Sequence, residues 1–240
     1  GRFQGVFSAL DNADLELPKI RDENEEEVQL TQARYGAYLR SEVRSVRKSA
    51  WKNLFIAYEK LGNTLAANYE GHVKSQVFLA KARGFDSALQ AATYSNAIPK
   101  AVYTNLVQTV QEGVEPLQRY LKLRRKMLKV ERLEIWDLYA PMISPSTKNI
   151  SFIEAKNLVA DALAPLGDDY IALYWRGFDE GWVDAFENKG KRSGAYSWGT
   201  YSSKPYLSMN YEGTLGDVST LAHEYGHSLH SYLTRKNQPY

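Results

Sequence analysis

The sequence contains no cysteine. This rules out disulfides and a thiolate metal site and is compatible with a reducing compartment, so a cytoplasmic location is the expectation. No apolar run approaches the roughly 18 residues of a membrane span, so no membrane partner is expected. Neither charge sign dominates: 30 Lys and Arg oppose 28 Asp and Glu, a net of +2, with the signs interspersed. That balance implies no polyanion, and no nucleic-acid partner is expected. The chain opens on Gly1-Arg2, neither an initiator Met nor a signal peptide, and the expectation is that it begins inside a longer protein. Histidine is scarce, at four residues. His72 stands alone and reads as a surface residue; His223, His227 and His230 fall together near the end.

Those three lie in Thr214-Leu215-Gly216-Asp217-Val218-Ser219-Thr220-Leu221-Ala222-His223-Glu224-Tyr225-Gly226-His227-Ser228-Leu229-His230, which contains His-Glu-x-x-His. On a helix, residues four apart lie one above the other, so His223 and His227 can aim two imidazoles at one metal ion. Glu224 lies about 100° further round, beside the metal, where a carboxylate can take a proton from water. The surrounding residues fit a helix. Thr214 is a good N-cap with Asp217 three residues on, and Val218, Leu221, Tyr225, Leu229, Tyr232 and Leu233 form an apolar stripe opposite the histidines. Gly226 is costly in mid-helix and predicts a close approach by another backbone. His230 sits one turn beyond the second histidine. Three successive turns cannot all comfortably bring a nitrogen to about 2 Å from one ion, so His230 is expected either to support a ligand or touch substrate, or to be a capped or solvated histidine near the helix end. The alternative is a helix of ordinary hydrogen-bonded core histidines. The extended pattern with Gly and then His after the second ligand is absent, because those positions hold His230 and Leu233.

The rest of the chain reads as mainly α, with a small β-hairpin or sheet beside the histidine helix. Residues 1–31 form a lead-in in which Leu15, Leu17 and Ile20 precede an acidic turn and Val28 and Leu30 resume, the pattern of a hairpin. Residues 32–140 form a helical region. Val43, Val46, Ala50, Leu54, Ala57 and Leu61 recur at helical spacing until Gly62-Asn63, and Thr64 caps a second helix. A short one starts at Asp86 or Ser87, and Pro99 opens a long one carrying Val102, Leu106, Val110 and Leu117, bent at Gly113 or Pro116. The basic run Lys122 to Lys129 reads as one wet helix face. Residues 141–240 begin where Tyr139 to Pro145 breaks the helices. Two helices follow, at Ser151–Ala164 and at Asp168–Asn188, the latter with an aromatic core stripe through Trp182 and Phe186. Then come a glycine-flanked loop, Gly190 to Tyr196, and an alternating strand, Pro205 to Tyr211, that could pair with an extended peptide.

The segments Phe186-Glu187-Asn188-Lys189-Gly190-Lys191-Arg192-Ser193-Gly194-Ala195-Tyr196-Ser197 and Leu207 through His227 resemble oligoendopeptidase F of the thimet-oligopeptidase superfamily. The helical stretch from Leu30 to Pro141 is similar to the region before the catalytic part of that family. The resemblance implies a multi-helical zinc endopeptidase that cuts short peptides in a channel too narrow for folded proteins. It implies one Zn2+ held by His223 and His227, with Glu224 as general base. It places Gly194, Ala195, Tyr196, Leu207, Met209, Asn210 and Tyr211 beside the substrate. The family's third ligand is a Glu about two dozen residues past the second histidine, so it is expected beyond Tyr240. On that basis these residues are an internal piece, inactive alone. Two other readings are an inactive peptide-binding or scaffold protein of the same fold, and a zinc hydrolase acting on non-peptide substrates.

Overall fold

A computed structural model describes residues 1–143, 149–188 and 190–239. In chain order the elements are α1 (Arg2–Ala9), a π-helical turn (Leu10–Asp14), β1 (Lys19–Arg21), β2 (Glu27–Gln29), α2 (Gln32–Tyr38), α3 (Arg44–Lys60), α4 (Gly62–Ala82), α5 (Ala88–Tyr94), α6 (Lys100–Glu112) and α7 (Val114–Met127). They continue with a 3-10 turn (Ile135–Asp137), α8 (Phe152–Leu163), α9 (Asp168–Asp179), β3 (Val183–Asp184), β4 (Tyr196–Trp198), β5 (Tyr206–Ser208) and α10 (Leu215–Asn237). The chain divides into two compact units. One comprises Gly1–Leu30 and Tyr38–Ser144, the other Thr31–Ala37 and Pro145–Tyr240.

In the first unit β1 and β2 form an antiparallel hairpin with Ile20 opposite Val28. Asp22 makes the acidic turn: its carboxylate accepts from the backbone N–H of Asn24 and Glu26, the local bonding that favours Asp in turns. Val46, Ala50, Leu54 and Ala57 are buried, as the spacing on α3 predicts, whereas Val43 is exposed and Leu61 half-buried; Ile20 of β1 and Leu30 after β2 are buried as well. Leu61 ends α3 and is also the N-cap of α4, which starts at once at Gly62, so the expected cap at Thr64 lies inside the helix. The cap of α5 is Ser87, whose hydroxyl accepts from Gln90 N–H.

The basic run on α7 differs from a wholly wet face. Arg124 is buried, and its guanidinium donates to the backbone C=O of Asp137 (3.0 Å) and of Ala140. Asp137 itself is fully buried and accepts from Arg44 (2.8 and 3.1 Å) and Arg47 (2.9 Å). Burial pushes its carboxyl up, but the two guanidinium bonds outweigh that and bring it to about 2. The expected long helix is broken at Gly113 into α6 and α7. α6 buries none of its residues, and Leu106 and Val110 remain about 60% exposed; the contacts of α6 are with α5 and α7, which leave its apolar stripe open.

The second unit carries the candidate site. Ser151 caps α8, its hydroxyl accepting from Glu154 N–H. α9 stops at Asp179, short of the expected Asn188, because Gly181 turns the chain through positive φ (68°). Trp182 therefore leads into β3 and does not continue a helical stripe. The sheet has the order β3-β5-β4, with β5 parallel to β3 and antiparallel to β4. Tyr174, Trp182, Leu207, Met209, Leu221, Tyr225 and Leu229 fill the core between this sheet, α9 and α10. Of the segment expected to break the helices, Tyr139 to Ile143 is turn and irregular backbone, and Ser144 and Pro145 lie outside the described residues, as does Lys189.

Candidate metal centre

The site is built on α10. Its start is fixed by a reciprocal capping box: Asp217 N–H donates to the Thr214 hydroxyl (3.2 Å) and Thr214 N–H to the Asp217 carboxylate (2.8 Å). This satisfies helix-end donors that would otherwise be orphaned. The same carboxylate accepts from Glu212 N–H, so Asp217 is committed to the cap.

The back of α10 is pinned to α9. The Tyr225 hydroxyl donates to the backbone C=O of Tyr174 (2.6 Å), and the Tyr174 hydroxyl donates to that of Lys156 (3.0 Å). Burial raises the pKa of both phenols, so they stay neutral donors. Val218, Leu221 and Leu229 complete the buried stripe, whereas Leu233 is exposed. The close approach expected at Gly226 occurs elsewhere. A Cβ on Gly226 would meet nothing within 4 Å, while one on Gly177 would run into the Tyr225 hydroxyl and the Trp182 ring.

With that face locked, His223, His227 and His230 are exposed together and Glu224 is half-buried beside them. The Nε2 atoms of His223 and His227 lie 3.2 Å apart, their ring centroids 4.8 Å apart and their planes at 85°. Two ligands about 2.05 Å from a tetrahedral ion are about 3.3 Å from one another, so the pair has the spacing and the donor chemistry of two zinc ligands. Among the described residues no group of three His, Cys, Asp and Glu side chains forms a metal site. Glu212 lies within ion-pair distance of Arg34 (4.0 Å), which also meets Glu187 (3.4 Å). Burial raises the Glu212 pKa, Arg34 opposes this, and the Glu187 and Asp217 charges add to it.

The residues expected beside substrate separate into two sets. Leu207, Met209 and Tyr211 point into the core, and the Tyr211 hydroxyl donates to Ile150 C=O. β5 is also the central strand. Leu207 N–H donates to Trp182 C=O and Met209 N–H to Asp184 C=O on the β3 side, and β4 occupies the other side. An added strand would therefore have to pair with β4, not β5. Since the backbone of Leu207 and Met209 faces β3, that of Tyr206 and Ser208 faces β4 and pairs with Trp198 and Tyr196. The backbone N–H and C=O of Ser197, between them, face the outer edge of the sheet, which no strand among the described residues pairs with.

Gly194, Ala195 and Tyr196 lie along that edge and the loop leading into it. Gly194 has positive φ (89°), and the Asn210 side-chain amide donates to the C=O of both Arg192 (3.0 Å) and Gly194 (2.9 Å). Tyr196 and Trp198 are exposed on one face of β4, while Ser197 turns the other way and meets the Ser228 hydroxyl at 2.8 Å. At the far end the Arg235 guanidinium donates to Gly199 C=O (2.8 Å) and Ser203 C=O (3.2 Å).

Ser197, Trp198, Ser228 and Arg235 were not singled out by the sequence pattern. For Ser228 the signal was present: a polar residue between Tyr225 and Leu229 on the buried stripe needs a hydrogen-bond partner.

The sequence pattern of Peptidase family M3 matches residues 37–240. Oligopeptidase PepF of Bacillus subtilis is 42% identical over 240 residues, which are 100% of this chain and 36% of that protein. The chromosomal oligoendopeptidase F of Lactococcus lactis subsp. cremoris is 41% identical over 230 residues, 96% of this chain and 38% of its own length. The crystal structure of oligoendopeptidase-F from Enterococcus faecium is 39% identical and superposes with a TM-score of 0.58, covering 73% of this chain and 33% of that one. The chain thus spans well under half the length of the curated relatives it matches, and it belongs to peptidase family M3.

Proposed function

We propose that the protein containing this chain is a zinc-dependent endopeptidase that hydrolyses short peptides. The observation that carries this is the pair of histidine nitrogens 3.2 Å apart on the exposed face of α10, next to a strand whose edge is open. In this reading His223 and His227 hold the zinc, and a glutamate outside these 240 residues completes the set. Two protein ligands hold zinc weakly compared with three, so the 240 residues alone have little or no turnover. When bound, the metal supplies Lewis acidity, polarising the scissile carbonyl and lowering the pKa of water to about 7.

Glu224 takes a proton from the attacking water and returns it to the leaving amine; its place on α10, one residue after a ligand, keeps it within the same turn. β4 binds the peptide in extended form through the outward backbone of Ser197, a mode that reads direction and length more than side-chain identity. Gly194, Ala195 and Tyr196 line the approach to that edge, and Asn210 shapes it by holding the loop. Leu207, Met209 and Tyr211 support the strand from the core. His230 lies one turn beyond the ligands, where it touches substrate or orients a ligand.

The test is Glu224→Gln in the whole protein. Zinc content should be unchanged and peptide turnover abolished. Retained turnover would remove Glu224 as the base.

A further inference from the structure

Ser228 ties the centre of β4 to the turn of α10 that carries the histidines. It is on α10 directly after His227, yet it is only 1% exposed. Its hydroxyl oxygen lies 3.2 Å from the backbone C=O of Glu224 and 2.8 Å from the Ser197 hydroxyl. A serine has one proton to donate. With that proton on Glu224 C=O, Ser228 accepts from Ser197, and a directed chain runs from Ser197 through Ser228 to Glu224.

The ends of this chain are informative. Ser197 is the β4 residue whose backbone faces the open edge, and Glu224 is the residue in the place of the base. The other ties on β4 act at its ends: Asn210 holds the loop before it, and Arg235 holds Gly199 after it. Neither reaches the turn of α10 that carries the histidines. β4 has only three residues, so its centre has little strand on either side to keep it in register.

We propose that Ser228 and Ser197 are positioning residues. Their hydroxyl bridge sets the distance and register between the peptide-binding edge of β4 and the helical turn bearing His223, Glu224 and His227. The inference rests on the peptidase reading above and deepens it, because it concerns how a peptide on β4 is presented to the base. Neither serine touches the reacting atoms. Loss of the bridge leaves the zinc ligands and the backbone edge in place but lets the bound peptide shift against Glu224. A displacement on the scale of 1 Å can cost on the order of a hundredfold in rate, and a partial shift is expected to cost about tenfold.

The experiment uses the zinc-loaded whole protein with Ser228→Ala, Ser197→Ala, the double variant and Ser197→Thr. Threonine keeps the hydroxyl and suits a strand. Initial rates on a quenched peptide are normalised to bound zinc, which removes misfolded material from the comparison. Each alanine variant should lower kcat by about tenfold with KM nearly unchanged. The double variant should be no worse than either single, and Ser197→Thr should restore most of the rate. Unchanged kcat in the single variants, or a double-variant loss equal to the product of the singles, overturns the bridge while leaving the peptidase reading intact. A threonine variant as slow as alanine also overturns it. Absence of turnover in the zinc-loaded unsubstituted protein overturns both, since the bridge is proposed for that reaction.

Discussion

Replacing Gly177 with alanine tests how tightly α9 holds the histidine helix. A Cβ at this position would lie 2.7 and 3.0 Å from atoms of the Trp182 ring and would run into the Tyr225 hydroxyl. Neither neighbour has room to retreat, since Tyr225 and Trp182 are both almost completely buried. Overpacking of this kind costs about 1–3 kcal/mol. The gain in helix propensity offsets at most about 1 kcal/mol, and less here because Gly177 is close to the end of α9 at Asp179. A net loss of about 1–2 kcal/mol is expected. Tyr225→Phe removes the bond to Tyr174 C=O and should cost about 1 kcal/mol by itself. It also removes one of the atoms in the way, so the double variant should be more stable than the sum of the singles by about 1 kcal/mol. Urea unfolding followed by tryptophan fluorescence reads this cycle, with Trp182 against the substituted position. A Gly177→Ala variant as stable as the parent, or strictly additive effects, would refute the close contact.

Three further outcomes are expected. Asp137, held at about 2 against an ordinary value of 3.8, stabilises the first unit at all pH values above the ordinary one. That contribution, about 2 kcal/mol, is lost as the pH falls from about 4 through 2, which acid titration by circular dichroism would follow. Asp137→Asn should abolish this pH dependence and, by leaving Arg47 buried without its carboxylate, cost about 3–5 kcal/mol at neutral pH. Thr214→Ala should cost about 1 kcal/mol by removing the cap of α10 while leaving zinc affinity unchanged, measured by urea melts and metal titration in parallel.

What could be read from the sequence was local. The start of α10 was legible because its cap and partner, Thr214 and Asp217, are three residues apart. The faces of that helix followed from the spacing of Leu221, His223, Tyr225 and His227, and the β1–β2 hairpin from the acidic turn at Asp22. What was missed depends on contacts made at long range. The aromatic spacing continues past Asp179 through Trp182 and Phe186, so it hid the end of α9 even though Gly181 marked it. The parallel pairing of β3 with β5 brings together residues 24 positions apart (Val183 and Leu207) and leaves no local trace. It is this pairing that makes β5 the central strand and gives the open edge to β4. Against the histidine helix the crowded glycine is Gly177 on α9 and not Gly226, since whether a glycine is crowded depends on what lies across from it. The buried Arg124 is likewise disguised among exposed basic neighbours on α7.

The most direct test is zinc titration of the 240-residue chain by isothermal calorimetry, beside His223→Ala, His227→Ala and Glu224→Gln. One weak site is expected, lost with either histidine and retained in Glu224→Gln. Binding that survives both histidine substitutions would contradict the assignment of this pair as the metal ligands.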